Sequence, residues 1–183
     1  MTSTSTTTPR IGARVLLLDA DRVLLIHAKD PQDPEHHWWE LPGGGLHDGE
    51  DLTTAALREV AEETGLTLAE LGRELWVRES RFQYKGREHH RVDHVFLGRT
   101  PSTVPQVPLK PTENEKAGLV ERRWWSAEEL RHCQDKLLPG TLPDLLDDLR
   151  VVVDTLSLGS FCSPPRRPTR CGWSRARPVR VRR

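Results

Sequence analysis

The sequence predicts an α/β fold, because strand-like and helix-like segments alternate along most of its 183 residues. Two apolar runs, Arg14–Leu18 and Arg22–Ala28, are separated by an Asp-Ala-Asp turn and predict a β-hairpin. The segment Leu52–Thr64 contains strong helix formers without an internal Gly or Pro, and Gly65 follows where a helix cap is expected. These two patterns set the fold class.

The remaining segments continue the alternation. A loop (Lys29–His37) is followed by a short strand (Trp38–Leu41). Two further strands, Leu75–Tyr84 and Glu88–Gly98, are predicted to pair across Lys85–Gly86, and a proline-rich loop (Pro101–Pro111) follows them. The strand Glu121–Trp125 then leads into a second helix, which starts with a capping box at Ser126–Glu129, and a third helix is predicted over Leu142–Leu156.

The composition is that of a soluble globular domain, with 36% hydrophobic and 30% charged residues. Its apolar runs are far shorter than the roughly 18 residues of a membrane span, so no membrane partner is expected. The polar start Met1–Pro9 lacks the apolar core of a secretory signal. Three cysteines without a Cys-x-x-Cys spacing indicate neither a disulfide framework nor a zinc site. We therefore expect a cytoplasmic protein, and the sequence leaves its oligomeric state open.

The C-terminal residues 159–183, here called the basic tail, differ in charge from the rest. They contain eight arginines and four prolines but no acidic residue, whereas the whole chain has equal numbers of acidic and basic groups. The body therefore carries about −8 and the basic tail +8. Without a helical or strand period the tail is predicted to be disordered. Non-specific contact with nucleic acid is the one macromolecular interaction it suggests, and a variable extension without a fixed partner is the simpler interpretation.

The segment Leu52–Thr64 carries carboxylates on the apolar side of its helix. At 100° per residue, Glu59 and Glu63 fall inside the apolar stripe, and Glu62 lies at its edge beside Arg58. Acidic groups that face a core need partners, and one arginine is too few for three of them. Oxygen ligands at i, i+3 and i+4 suit Mg²⁺ or Mn²⁺, so the spacing favours a divalent metal site over a surface salt-bridge cluster.

Three glycines, Gly43–Gly45, precede this helix, and their bare backbone can approach a phosphate or a metal. Glycines and helix together match the Nudix box: Gly, five residues, Glu, seven residues, Arg-Glu-apolar, one residue, Glu-Glu, one residue, Gly-apolar. The matched residues are Gly44, Glu50, Arg58, Glu59, Val60, Glu62, Glu63, Gly65 and Leu66. The chain therefore resembles the Nudix hydrolases, and the flanking segments Trp39–Gly44 and Arg122–Leu130 are similar to that family too.

The resemblance implies an α/β/α sandwich, with a mixed β-sheet between helices, over about residues 10–158, between a disordered start (1–9) and the basic tail. It also implies that Mg²⁺, or Mn²⁺ in its place, is held by helix carboxylates and one backbone carbonyl, namely Glu59, Glu62, Glu63 and Gly43. By the same resemblance Arg58 is counted among the catalytic residues, where it would form an ion pair with Glu50 that supports the loop and the helix beside the site.

The implied reaction is attack of water on the phosphoanhydride bond that links a nucleoside diphosphate to another group. Glu62 is the first candidate for the general base, and Glu113 or Glu115 is the other. A nucleotide-sensing module without activity and a prenyl-diphosphate isomerase are the alternatives from other classes. The intact box argues against the first, and the lack of a cysteine before Cys133 argues against the second.

The sequence carries less information about the substrate. Trp38 and Trp39 are candidates for stacking on a base, although strand alternation places at least one of them in the core, and Gly44 is a candidate substrate contact. Tyr84 lies where dinucleoside polyphosphate hydrolases resemble one another in having a tyrosine, whereas residues 66–99 lack the proline typical of members that cleave ADP-ribose. We therefore expect nucleoside triphosphates, including modified ones, first, dinucleoside polyphosphates second and nucleotide sugars third.

Other prominent side chains allow two interpretations each. Three arginines could pair with substrate phosphates or with surface acids: Arg78, Arg81 and Arg87. Three histidines could contact phosphate or lie on a solvated face of the sheet: His89, His90 and His94. For Trp124 and Trp125, packing within a strand is favoured.

Overall fold

The computed structural model of the chain describes residues 8–68, 71–110 and 113–149. Its strands, in chain order, are β1 (Arg10–Asp19), β2 (Arg22–Asp30), β3 (Asp33–Glu40), β4 (Gly43–Gly45), β5 (Glu74–Tyr84), β6 (Arg87–Arg99), β7 (Leu119–Ser126) and β8 (Lys136–Leu138). Its helices are α1 (Leu52–Thr64), α2 (Glu113–Gly118) and α3 (Ala127–Arg131). Residues 142–149 are also helical, in agreement with the first half of the third predicted helix.

The strands form one mixed sheet in the order β5-β6-β1-β2-β3-β8, with β4 added to β1 and β7 added to β2. The strand β1 is central: it runs parallel to β6 along nearly its whole length and antiparallel to β4 and β2 on its other edge. The strand β8 joins β3 in parallel, and the remaining pairs are antiparallel. The α/β class with a mixed sheet is therefore confirmed.

Two hairpins confirm their predicted turns. The strands β1 and β2 pair as expected from the Asp-Ala-Asp spacing. At the turn between β5 and β6, Lys85 and Gly86 both have positive φ, 52° and 68°. Positive φ at both central positions is the type I′ geometry, whose twist matches that of paired strands, so this turn sets the register of the long β5–β6 hairpin.

The loop predicted over Lys29–His37 is wrong. Only residues 31 and 32 form a turn, and β3 pairs with β2 from Ile26↔Glu40 to Lys29↔His37. The prolines and acidic residues of this segment suggested a loop, but pairing satisfies the backbone hydrogen bonds that a loop would leave to water. The hairpin brings His27 opposite Trp39.

Three short elements were not predicted: β4, β8 and α2. The glycines of β4 pair with Gly12, Ala13 and Arg14 of β1, so the glycine segment is part of the sheet rather than a free loop. Segments of three to six residues carry too little periodicity to be recognised in a sequence. The strands β4 and β8 form because β1 and β3, respectively, supply their hydrogen-bond partners.

Helices cover both faces of the sheet. The apolar side of α1 packs with Leu52, Ala55, Ala56 and Val60 against one face of β1. On the other face, Leu130 of α3 and Leu142 and Leu146 of the 142–149 helix pack against a second core. The tryptophans 124 and 125 pack on opposite cores, which confirms strand packing for both. The three-layer arrangement agrees with the α/β/α sandwich.

The helix α1 begins and ends as its sequence predicts. Asp51 accepts a hydrogen bond from the Thr54 N–H at the start, and Gly65, with φ of 71°, closes the end by donating to the Ala61 carbonyl. The capping box predicted at Ser126 and Glu129 is also present. These caps fix which turn of α1 meets the sheet, and therefore where its carboxylates lie.

Within the described ranges, no helix combines the length and hydropathy that a membrane span requires. The basic tail, residues 1–7 and residues 150–156 of the third predicted helix lie outside the described part of the chain.

Candidate active site

The helix α1 carries the three carboxylates of the predicted metal site. Glu59 and Glu63 are buried, and the Glu62 side chain is 28% exposed. The helical stripe predicted from the sequence is therefore correct: two glutamates lie within the packed side of α1 and the third at its border.

The glycine strand β4 lies directly against these carboxylates. The Gly43 N–H donates a hydrogen bond of 2.8 Å to Oε2 of Glu63. A Cβ added to Gly44 would lie 2.5 Å from Oε1 of Glu59, so only glycine leaves room for that carboxylate. Gly43 has a φ of 137° and its Cβ position lies 2.3 Å from the Ala13 carbonyl oxygen, so a side chain is excluded there as well. The glycines are thus required by close approach of backbone and carboxylate.

Arg58 binds several acids of the box at once. Its guanidinium makes two hydrogen bonds to Glu50, of 2.8 and 2.9 Å, and also donates to Glu59 at 2.9 Å, to Glu62 at 3.0 Å and to the Gly45 carbonyl at 3.0 Å. The expected Arg58–Glu50 ion pair is therefore present. Arg58 contacts two of the three α1 carboxylates, while Glu63 takes the Gly43 N–H as its hydrogen-bond donor.

Glu63 is the carboxylate whose burial is most costly. Burial raises its pKa well above the ordinary value, and the Gly43 N–H and the charge of Arg14 oppose the shift only in part. The backbone carbonyl of the same residue accepts a hydrogen bond from Arg122 of β7, which ties the end of α1 to the sheet. A cation beside Glu63 would offset the cost of burying its charge.

A cluster of arginines continues from this site across β1, β5 and β6. Asp93 is fully buried and is approached by three guanidinium groups: Arg91 at 2.9 Å, Arg14 at 3.4 Å and Arg78 at 3.5 Å. Arg14 also binds Glu40 at 2.9 Å. Burial, together with repulsion from Arg14, lowers the pKa of Arg78 and of Arg91, so this cluster, here called the arginine cluster, holds closely spaced positive charge.

The sequence predicted part of this cluster. Arg78 was a candidate for a phosphate or an acid, and the structure pairs it with Asp93. Arg14, Asp93 and Arg91 were not singled out, although a charged residue at an inward position of an apolar strand, as at Arg14, is a signal that could have found them. Arg81 and Arg87 are exposed on the same hairpin.

The three histidines of the β5–β6 hairpin have partners within that hairpin. His89 stacks on Phe82, and the other two contact carboxylates, His90 that of Glu79 and His94 that of Glu74.

The aromatic candidates for base contact lie within the protein. Trp39 is 3% exposed, packs edge-on against Trp125 and donates its indole N–H to Asp135 at 3.1 Å. Trp38 is 8% exposed and contacts the ring of Tyr84 edge-on, at 6.3 Å between centroids. The structure thus gives both tryptophans a packing role, and base stacking by Trp38, Trp39 or Tyr84 stays a prediction. The side chains of the other general-base candidates, Glu113 and Glu115, lie outside the described part.

The donor set of this site fits a hard divalent cation. The two buried carboxylates, Glu59 and Glu63, lie against the glycine backbone, the half-buried Glu62 lies beside them on Arg58, and no thiol or imidazole is among these groups. Oxygen-only ligands with excess negative charge are typical of Mg²⁺ and Mn²⁺ sites.

The model of the NUDIX domain family matches residues 8–148, which is most of the chain. The chain belongs to the Nudix hydrolase family. Nudix hydrolase 25 of Arabidopsis thaliana is 51% identical to it over 135 residues, covering 67% of this chain and 74% of that protein. The RNA pyrophosphohydrolase of Caulobacter vibrioides is 44% identical over 63 residues, only about a third of each protein, at 34% and 35%. A crystal structure of a MutT NUDIX hydrolase from Burkholderia pseudomallei shares 29% identity and a TM-score of 0.51, covering 67% of this chain and 86% of that one.

The chain therefore belongs to a family of enzymes. The contacts described above divide the charged residues of its Nudix box into two groups. Arg58 donates hydrogen bonds to Glu50 and to the Gly45 carbonyl, while Glu59 and Glu63 face the glycines of β4. The first group braces the helix against the preceding segment, and the second presents charge at the sheet.

Proposed function

We propose that this Nudix hydrolase cleaves the phosphoanhydride bond of a nucleoside diphosphate linked to another group. We further propose that its best substrate is a nucleoside triphosphate, including modified ones, which it converts to nucleoside monophosphate and pyrophosphate. The observation that carries this proposal is the close approach of two α1 carboxylates to the glycine strand, where Glu63 accepts the Gly43 N–H and Glu59 lies against Gly44.

Under this proposal, Glu59, Glu62, Glu63 and the Gly43 carbonyl would hold Mg²⁺, with Mn²⁺ as a substitute. Bound there, the metal would neutralise the phosphate oxygens of the substrate and acidify the attacking water. The protein's own part is to keep the carboxylates in place, since Arg58 restrains Glu59 and Glu62 and the Gly43 N–H restrains Glu63.

Glu62 is the proposed general base. Its side chain is the most exposed of the three α1 carboxylates, at 28%, so it can reach a water molecule that the buried pair cannot. Its hydrogen bond to Arg58 orients one oxygen and leaves the other for a proton. Glu113 and Glu115 remain the alternative bases.

The arginine cluster supports a polyanionic substrate. The body of the chain carries about −8, which repels phosphates at long range, so binding depends on local positive charge. Arg78 and Arg91 keep 23% and 22% of their side chains exposed, and Arg14 links them electrostatically to Glu63. Planar guanidinium groups bind phosphate oxygens in pairs, so this cluster is suited to the phosphates of a chelated nucleotide.

The alternatives within the same reaction are dinucleoside polyphosphates and nucleotide sugars. The 5′-triphosphate end of an RNA joins them, because a relative that matches a third of this chain is an RNA pyrophosphohydrolase. A nucleotide-sensing module that binds without cleaving is the alternative of another class.

The test is a hydrolysis screen of the purified protein with Mg²⁺ and with Mn²⁺, in which nucleoside monophosphate, pyrophosphate and phosphate are separated by ion-exchange chromatography. The panel contains normal and oxidised nucleoside triphosphates, dinucleoside polyphosphates, ADP-ribose, nucleotide sugars and a 5′-triphosphorylated RNA. We expect the highest kcat/KM on a nucleoside triphosphate. If another class is preferred by more than about tenfold, equivalent to about 1.4 kcal/mol, the proposed substrate is wrong while the reaction class stands. Binding without turnover on the whole panel would instead support the sensing module.

The role of the α1 carboxylates is tested by Glu63→Gln. Glutamine keeps an oxygen for the Gly43 N–H but removes the charge, so turnover should fall about a hundredfold or more while the fold is kept. Glu128→Gln, an exposed glutamate of α3, is the matched control and should retain activity. Full activity of Glu63→Gln, or of the wild type in excess EDTA, would refute the metal-dependent mechanism.

A further inference from the structure

A second group of metal-ligating side chains lies away from the Nudix-box carboxylates. It consists of His27 of β2, His37 of β3 and Asp135, which precedes β8. His27 alternates with Leu25 along β2, and Leu25 belongs to the core under α3, so this group lies on the face of the sheet opposite to α1. The two groups therefore do not share ligands.

One ligand atom from each of the three residues lies within 4.8 Å of the other two. Nε2 of His27 lies 3.2 Å from Nδ1 of His37 and 3.9 Å from Oδ2 of Asp135, and the other Asp135 oxygen, Oδ1, lies 3.7 Å from His37 Nδ1. A tetrahedral zinc ion with bonds of about 2.0–2.1 Å places its ligand atoms about 3.3 Å apart. The two imidazole nitrogens already have about that spacing, and a movement of the Asp135 carboxylate by about half an ångström or more would place one of its oxygens at a third corner.

The surroundings of the group hold it in this arrangement. The His27 ring stacks on Trp39 at 4.5 Å between centroids, and the Trp39 indole N–H donates to Asp135. Nδ1 of His27 is buried without a hydrogen-bond partner among the described residues, and Oε1 of Glu121 lies 3.8 Å from it. Metal-bound histidines commonly direct their second ring N–H toward a carboxylate, which is the orientation His27 has here.

We propose that His27, His37 and Asp135 bind a divalent transition metal of the zinc class, with the fourth position open to water. Two imidazole nitrogens and one carboxylate suit Zn²⁺ rather than Mg²⁺, which prefers oxygen ligands only. The bound metal joins β2 and β3 to the segment that leads into β8, and β8 pairs only with β3 among the described strands. The role of the metal is thus to stabilise the edge of the sheet that β3 and β8 form. The competing arrangement is a plain imidazole–imidazole hydrogen bond.

The test uses the full-length chain without a histidine tag, stripped with a chelator and then kept in saturating Mg²⁺ so that the Nudix-box carboxylates are occupied. Calorimetric titration with Zn²⁺ measures affinity, and the visible spectrum of the Co²⁺ form reports the nitrogen–oxygen ligand set. We expect one zinc site per chain, weakened about a hundredfold or more by His37→Gln and by Asp135→Asn.

Three controls separate this site from others. His90→Gln removes a histidine that pairs with a carboxylate elsewhere on the sheet, Glu63→Gln alters the Nudix box, and the double change Cys162→Ser with Cys171→Ser removes the thiols of the basic tail. Zinc affinity should be unchanged in all three. Equal zinc affinity in His37→Gln and the wild type, or loss of the zinc site in any control, overturns the proposal.

Thermal unfolding gives a second measurement, made first on the wild type and then on one variant. A metal that binds only the folded chain should raise the wild-type Tm by about 5 °C or more at a hundredfold excess over its Kd, in Mg²⁺ throughout. His37→Gln is the preferred variant for the comparison, because its side chain is 36% exposed and its loss should leave the metal-free Tm close to that of the wild type. No Zn²⁺-dependent rise in the wild type means that the two histidines are only hydrogen-bonded.

Discussion

At the scale of single residues, Arg58 organises the charge of the box. It contacts Glu50, Glu59 and Glu62 and leaves Glu63 to a backbone N–H. One guanidinium thus serves Glu50 and two of the three α1 carboxylates, in agreement with the sequence argument that one arginine is too few for all three. Arg58 does not contact Glu63, and burial raises the pKa of that carboxyl, so a cation beside Glu63 would offset the cost of its charge.

The Glu50–Arg58 pair predicts a pH dependence of stability. Hydrogen bonds from Arg58, followed by the His47 N–H, lower the pKa of Glu50 from 4.5 to about 2. A lowered pKa contributes stability above the unfolded value, and this is lost as the pH falls from about 4.5 toward 2. Glu50→Gln should therefore destabilise the metal-free protein at pH 7, by roughly 1–3 kcal/mol, and much less at pH 2.

The measurement is Tm between pH 7 and pH 2 in EDTA, with the exposed Glu35→Gln as control. A difference between Glu50→Gln and the wild type that stays constant over this range would show that the pair contributes through shape and not through charge.

At the scale of elements, the three-residue strand β4 joins the sheet to α1. A Cβ at Gly43 would clash with backbone, namely the Ala13 carbonyl oxygen. A Cβ at Gly44 would clash with the end of a side chain, namely the Glu59 carboxylate. Backbone cannot move aside without disturbing β1, but a carboxylate can rotate away. The two neighbouring glycines therefore serve different purposes.

This difference predicts that Gly43→Ala and Gly44→Ala have opposite profiles. Gly43→Ala combines a positive φ with a backbone clash and should lower the free energy of unfolding by about 2 kcal/mol or more. Gly44→Ala should displace Glu59 and reduce turnover at least about tenfold with a smaller loss of stability.

Gly49→Ala is the matched control, since Gly49 has a positive φ of 76° but nothing within 4 Å of its Cβ position. It should cost about 1 kcal/mol without changing turnover. Urea unfolding and steady-state kinetics on all three variants make the comparison. Normal turnover in Gly44→Ala would mean that the close approach to Glu59 has no catalytic role.

At the scale of the whole molecule, the sheet, which has helices on both faces, separates two groups of polar side chains. The carboxylates of α1 and the glycines of β4 meet at one region, and the histidine–aspartate group lies under the other face. The family match over residues 8–148 and the two cores described here account for the sandwich without the basic tail.

We therefore expect that deletion after Gly159 leaves Tm and turnover on a free nucleotide nearly unchanged. The sequence of the basic tail, with eight arginines, has no apolar pattern that predicts packing, although its charge is opposite to that of the body. The comparison is made at low and at physiological salt. A large loss of stability or activity, strongest at low salt, would show that the arginines dock on the acidic body.

The sequence by itself determined the fold class, the family resemblance and the identity of the α1 carboxylates. It could do so because these depend on local spacing: the helical period aligned Glu59 with Glu63, and Gly65 marked the end of the helix. The Lys85–Gly86 turn was also predicted from the sequence, and the structure gives both residues the positive φ of a type I′ hairpin turn.

Tertiary structure decided which residues from distant segments meet. Asp93 and Arg14 lie 79 positions apart and contact each other because β1 pairs in parallel with β6. His27, His37 and Asp135 meet because β3 pairs with β2 on one edge and β8 on the other. The register of a hairpin follows from its turn, but which strands pair across long stretches of chain follows from the packing of the whole sheet, so the partners within these two groups became evident only in the folded chain.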